Sequence, residues 1–234
     1  MVGTRQTTRQ TLIIDADDTL WENNIYFERA VDEFLDFLAY SSMSRDEVRA
    51  VLHEIETATL QTHGYGAASF TRSLRQCYEH LADRDIADDD LARVMDFGQR
   101  ILRNEIEIIA GVEETLAFLK ERHHLVLFTK GHPEEQRLKV DRSGLRGHFA
   151  HVAIVEEKIV SAYRALVSEL AVEPARTWMV GNSPKSDINP ALAAGLNGVF
   201  IPHPSTWSRE HQELASGPGQ LLVLERFVDL RGHF

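Results

Sequence analysis

Residues 12–21 read LIIDADDTLW. The run TLIID (11–15) is apolar on both faces, the pattern of a short strand in a parallel sheet covered by helices. Three carboxylates follow at once: Asp15, Asp17 and Asp18. Taken alone, the loop can be a turn in which Asp18 or Thr19 caps a helix. It can equally be a site that needs negative charge.

Working outward, the stretch from about 24 to 107 is helical in pattern, with little that reads as strand. FERAVDEFLDFLAY puts Phe27, Ala30, Val31, Phe34, Leu35 and Leu38 on one helical face. Ser44 is an expected N-cap with Glu47 three residues on, a capping box. THGYGAASF breaks the pattern, FTRSLRQCYEHLA resumes it, and IADDDLARVMDFGQRILRNEI forms another helix. After Gly111 strands and helices alternate: strands LVLFT, HVAIV, TWMVGN and GVFIP, a further strand LLVLE, and helices GVEETLAFLKERH, PEEQRLKVDRSG, IVSAYRALVSEL and DINPALAAG, with Asp187 as N-cap of the last. Alternation of this kind predicts an α/β fold with a doubly wound parallel sheet. The expected division is a core of residues 1–23 and 108–234 and a helical insert of residues 24–107.

Composition narrows the function. The 234 residues and 43% hydrophobic content suit a globular chain with a sizeable core. No apolar run approaches the ~20 residues that span a bilayer. The start MVGTRQTTRQ lacks the features of a signal peptide, so the chain is expected in the cytoplasm. Cys77 is the single cysteine, which excludes an internal disulfide and a cysteine metal cluster. A formal charge of -11 disfavours nucleic acid and anionic membranes as partners. An anionic substrate therefore requires local positive charge at its site.

Ligands of open α/β sheets bind outside the carboxyl ends of the strands. Here those ends carry Asp15 to Thr19, then Thr129-Lys130-Gly131, then Lys158, then Gly181 to Asp187. The combination suits phosphoryl transfer. An ionised Asp15 can attack phosphorus without a separate base. Asp17 can protonate the leaving oxygen and then activate water, a role that calls for a raised pKa, which nearby negative charge favours. Thr129 and the backbone N–H groups after it can hold phosphoryl oxygens, and Lys158 can offset developing charge. Asp18, Thr19, Lys130 and Gly131 are the further candidates for phosphate contact. Mg²⁺, a hard cation, matches carboxylates beside a phosphate. For each residue alone a bland reading exists: turn, cap, or a solvated lysine at position 158.

In this order the residues resemble the haloacid dehalogenase superfamily. Its DxDxT motif is matched by Asp15-Ala16-Asp17-Asp18-Thr19, its second by Thr129, its third by Lys158 and its acidic fourth by GNSPKSD. QRLKVDRSGLRGHF, after the second motif, is also similar. The resemblance implies a Rossmann-like core with an α-helical cap inserted after the first motif. It further implies Asp15 as nucleophile, Asp17 as general acid/base, and Mg²⁺ held by Asp15, the Asp17 carbonyl, Asn182 and Asp187. Asn182 stands where the family usually has aspartate; its oxygen can ligate a cation but brings no charge.

True haloacid dehalogenases lack the second aspartate of the first motif, so Asp17 favours a phosphatase acting on a small phosphorylated metabolite. A phosphomutase or phosphotransferase, and a non-catalytic binding protein on the same scaffold, are the alternatives. Substrate choice is expected from the insert, with Tyr65, Phe70 and Arg72 as candidates; each also has a bland reading as packing or surface. HPSTW (203–207) can border the site, with Trp207 packed.

Overall fold

The structure is a computed structural model that describes residues 9–38, 43–82 and 86–234. The stretch MVGTRQTT, and the end of the first predicted helix at Ala39 and Tyr40, lie outside the described residues. The chain divides into two compact units: Met1–Glu22 with Ile106–Phe234, and Asn23–Glu105.

The first unit is an α/β core. Six strands form one parallel sheet: β1 (Thr11–Ile14), β2 (His124–Lys130), β3 (His151–Val155), β4 (Thr177–Gly181), β5 (Asn197–Phe200) and β6 (Leu221–Val223). Their order is β3-β2-β1-β4-β5-β6. The order reverses between β1 and β4, which puts a crevice at the carboxyl ends of these two central strands. Ile14 pairs with Leu127 on one side and Val180 on the other, so β4 ends one residue beyond β1 and β2 runs three residues further. The Asp15 N–H continues the ladder, donating to the Val180 carbonyl at 2.9 Å.

Alternation explains the two-faced burial. Leu12 and Ile14 of β1, with Trp178 and Val180 of β4, join one apolar cluster. It includes Val112, Leu116 and Leu119 of α5 (Val112–Lys120) and Val140 of α6 (Pro133–Arg142). Ile13 and Met179 point the other way, to Tyr163 and Leu166 of α7 (Val160–Leu170) and Ala191 of α8 (Asn189–Ala193). Side chains of successive strand residues face opposite sides, so a sheet covered on both faces needs a continuous apolar run.

The second unit holds α1 (Asn24–Phe37), α2 (Arg45–His63), α3 (Ala67–Leu81) and α4 (Asp88–Arg103) around their own core, including Phe34, Leu52, Leu74 and Val94. The capping box is formed: the Ser44 hydroxyl accepts from the Glu47 N–H at 3.3 Å, and Glu47 accepts from the Ser44 N–H at 2.8 Å. Among the described residues no helix is long and apolar enough to cross a membrane.

Two sequence expectations change. Helix α3 begins at Ala67, three residues before FTRS. DINPALAAG is not one helix capped by Asp187: Pro184–Ile188 is a π-helical turn, followed by the short α8. Asp187 lies inside that turn.

Close packing in the second unit generates a test. A Cβ on Gly98 of α4 would lie 2.3 Å from Thr71 Oγ1 and 2.9 Å from Thr71 Cα of α3. Glycine to alanine normally stabilises a helix interior by about 1 kcal/mol. Here overpacking dominates, and Gly98→Ala is expected to destabilise by about 1–3 kcal/mol. A lower urea-unfolding midpoint checks this; a raised midpoint contradicts it.

Candidate active site

Asp15 follows β1 and is buried, 7% exposed. Lys158, expected as surface or site, is not a surface lysine: its side chain is 1% exposed. Its ammonium donates to Asp15 Oδ1 and, at 2.8 Å, to Asp187 Oδ1. The second Asp187 oxygen accepts from the Ser183 N–H at 2.9 Å. Gly181 makes this possible, since a Cβ there would sit 2.3 Å from Asp187 Oδ2. The strand must end on a residue without a side chain for the carboxylate to fold back against it.

Two carboxylates thus share one ammonium. Burial opposes charge on Lys158, but Asp15 and Asp187 more than offset it and hold its pKa above the usual lysine value. Asp15 goes the other way from an ordinary ion-paired acid. Burial pushes its carboxyl up to about 7, Asp187 adds to the rise, and Lys158 only partly opposes it. One cation stabilises one buried anion well and two poorly.

Asp17 lives in a different environment. Trp21 Nε1 donates to Oδ1 at 2.7 Å and Gln136 Nε2 to Oδ2 at 3.0 Å. Lys139 Nζ lies 2.7 Å from both oxygens. Burial alone raises this carboxyl, but the Lys139 ammonium and these hydrogen bonds outweigh it, and its pKa falls below the usual value. The expected rise from neighbouring negative charge is therefore reversed, because the sequence-distant Lys139 supplies the nearer charge. Gly131 opens the way for Gln136: its φ is +136°, and a Cβ would meet Gln136 Nε2 at 2.9 Å.

The other candidates divide. The Thr19 hydroxyl is 3.1 Å from Asp15 Oδ2 and 3.2 Å from Asn182 Oδ1, so it ties the first loop to the fourth. The Asn182 amide is oriented: its Nδ2 donates to Thr206 Oγ1 at 2.9 Å, which leaves its oxygen on the Thr19 side. Thr129 is buried at the end of β2, and among the described residues its hydroxyl has no hydrogen-bond partner. Gly131 does not offer its N–H to a ligand, since it donates to the Val155 carbonyl at 2.9 Å. Lys130 is drawn to Glu210 at 2.6 Å and to Ser186 Oγ at 2.9 Å. Asp18 adopts the left-handed conformation, φ +59°, which aspartate tolerates better than most residues. Its carboxylate lies 3.9 Å from His203 Nδ1, while His203 Nε2 is 3.3 Å from Glu22.

Of the insert candidates, Phe70 belongs to the core of its own unit, edge-on to Phe27 with ring centroids 5.2 Å apart. Arg72 is exposed and Tyr65 half-buried. Trp207 is half-buried, with the Arg209 guanidinium 5.5 Å from its ring centre.

Asp15 and Asn182, joined through Thr19, and Asp187, joined to Asp15 through Lys158, place hard oxygen donors together. The buried Asp15–Lys158–Asp187 group carries one more carboxylate than ammonium. Oxygen donors with surplus negative charge fit a divalent cation such as Mg²⁺.

Residues 10–195 match the haloacid dehalogenase-like hydrolase family. A haloacid dehalogenase-like family hydrolase from Xanthomonas campestris is 30% identical, covering 97% of this chain and 94% of its own, with a TM-score of 0.79. The magnesium-bound HAD-hydrolase YfnB of Bacillus subtilis is 14% identical, covers 97% and 99%, and has a TM-score of 0.66. A phosphoserine phosphatase of Thermus thermophilus is 33% identical over 45% of this chain and 54% of its own length. The chain spans about half the length of that curated relative. The chain belongs to the haloacid dehalogenase-like hydrolases, and it is a hydrolase.

The raised Asp15 carboxyl sets a pH dependence in metal-free protein. Its folded pKa, about 7, exceeds the ordinary 3.8. Between these values the folded state holds a proton that the unfolded chain releases. Its contribution to stability is therefore full at low pH and is lost as pH rises through about 7. Asn at this position carries no such proton. In EDTA, Asp15→Asn is expected to gain stability relative to wild type as pH rises from about 4 to about 7.5. Urea unfolding across that range checks it; a constant difference, or one of opposite trend, contradicts it.

Proposed function

We propose that this hydrolase is a Mg²⁺-dependent phosphatase that cleaves a small phosphomonoester through a phosphorylated Asp15. The observation that carries the reading is the contrast between two carboxylates two residues apart. Asp15 sits on Lys158, facing the fourth loop; Asp17 is held apart by Trp21, Gln136 and Lys139. Carboxylates held in separate environments can take separate roles, and Lys158 together with a bound cation would keep Asp15 ionised as the nucleophile.

In this reading Asp15, as carboxylate, attacks phosphorus, and the bond to the ester oxygen breaks as that oxygen takes the proton Asp17 then carries. Lys158 stays protonated and stabilises charge on the phosphoryl oxygens. The Thr129 hydroxyl donates to one of those oxygens. Asp17, held ionised, is suited to take a proton from the water that attacks the phosphorylated Asp15. The proton it gains is then available for the next leaving oxygen, which requires exchange of the Lys139 contact for the substrate. Asp15, the Asp17 carbonyl, Asn182 and Asp187 would hold Mg²⁺, which would supply charge neutralisation at the phosphoryl group.

Asp17 supports phosphatase over dehalogenase action, because a departing halide needs no proton and an alkoxide does. The partial likeness to a phosphoserine phosphatase adds to this and makes phosphoserine the first substrate to assay. The helical insert, residues 24–107, is assigned the role of cap and of substrate selection. The expected substrate is a small phosphorylated metabolite, met in the cytoplasm.

Phosphate release from phosphoserine and from an aryl phosphate tests the reading, with Mg²⁺ or with EDTA. Activity is expected with Mg²⁺ and lost in EDTA. Asp15→Asn is expected to reduce it at least ~1000-fold with the fold intact, as loss of a covalent nucleophile does. Turnover by that variant near the wild-type rate contradicts the assignment.

A further inference from the structure

Lys130 directly follows Thr129 at the strand end where phosphate is expected, yet it is engaged elsewhere. Its ammonium lies 2.6 Å from Glu210 Oε1 and 2.9 Å from Ser186 Oγ. Glu210 is 7% exposed and comes from the segment after β5. Its other oxygen accepts from the Ser183 hydroxyl at 2.6 Å. Ser183 Oγ in turn accepts from the Ser186 N–H at 2.9 Å, and the Ser183 N–H holds Asp187. Burial raises the Glu210 carboxyl, but Lys130 and the serine hydroxyls outweigh it, so the group stays ionised.

Charge decides what this arrangement does. The pocket already sets Lys158 against Asp15 and Asp187. A second uncompensated ammonium at the end of β2 would strengthen binding of a phosphate and weaken binding of a divalent cation. A carboxylate clamped on that ammonium cancels both effects. Glutamate does this without ambiguity, because an ionised carboxylate only accepts.

We infer that Glu210 is a positioning residue that neutralises Lys130 and fastens the Asn182–Asp187 loop, thereby setting the balance between cation and phosphate affinity at the site. The inference rests on the Mg²⁺-and-phosphate reading above. It assigns a role to the sequence TWSRE (206–210) that no first-loop motif carries. It also explains why a lysine follows Thr129 without over-binding the inorganic phosphate that the reaction releases.

The test uses full-length protein and two probes, calorimetric titration with Mg²⁺ alone and with inorganic phosphate at saturating Mg²⁺. Glu210→Gln keeps shape and removes charge. It is expected to weaken Mg²⁺ on the order of 10-fold and to tighten phosphate by a similar factor, the scale of one nearby charge largely screened by its surroundings. Adding Lys130→Met in the same protein is expected to return both affinities to within ~2-fold of wild type, since the interacting pair is then removed together. Lys130→Met alone is expected to move both the other way, and it keeps the test valid if Glu210→Gln does not fold.

A purely structural Glu210 gives a different pattern: both ligands weaken together and Lys130→Met does not restore them. That pattern, or unchanged affinities, overturns the inference while leaving the site reading intact. Wild-type protein that binds neither probe removes the site reading, and this inference with it.

Discussion

The molecule depends on one buried ammonium shared by two carboxylates. Lys158 comes from the segment after β3, Asp15 from the end of β1, and Asp187 from the turn after β4. Burying a lysine is costly unless its charge is met and its protons are bonded. That requirement pins three loops, far apart in sequence, into one pocket. It is possible only because β1 and β4 are neighbours at the place where the strand order reverses. The same interaction leaves a surplus of negative charge, which burial turns into a raised Asp15 carboxyl.

The second constraint is separation. Asp17 stands two residues from Asp15 but is governed by α6, through Gln136 and Lys139. Left-handed backbone at Asp18 turns the chain, and the Asp18 N–H donates to the Trp21 carbonyl at 2.8 Å. Trp21 then returns its indole N–H to Asp17. A four-residue turn thereby gives its two acidic side chains opposite electrostatic surroundings. Burial beside Asp187 raises the pKa of one, and Lys139 with the hydrogen bonds from Gln136 and Trp21 lowers that of the other.

Much of this was legible in the sequence. The apolar run before Asp15 marked a buried parallel strand, and each later apolar run marked another. The four motifs fell at strand ends or just beyond them, and strand ends are where such sheets bind ligands. What escaped the sequence was every partner set by strand order. Gln136 and Lys139 were visible in QRLKVDRSGLRGHF only as a similar stretch, with nothing to say that they reach Asp17, 119 and 122 positions away. Glu210 gave no signal at all, since an acid in a polar loop reads as surface. Asp187 taken alone reads equally as a cap, because local spacing cannot show that Gly181 leaves room for its carboxylate to turn inward. The Gly131 N–H was counted as a phosphate donor because the pairing of β2 with β3, which occupies it, is not a local property.

In the proposed reaction Asp15 itself carries the phosphoryl group. The most direct measurement is acid-quenched single turnover with a radiolabelled phosphomonoester in Mg²⁺, followed by peptide mapping. Label bound to the peptide that contains Asp15, and removed by hydroxylamine as an acyl phosphate, is the predicted result. Phosphate released at the full single-turnover rate with no label ever on that peptide would contradict the account.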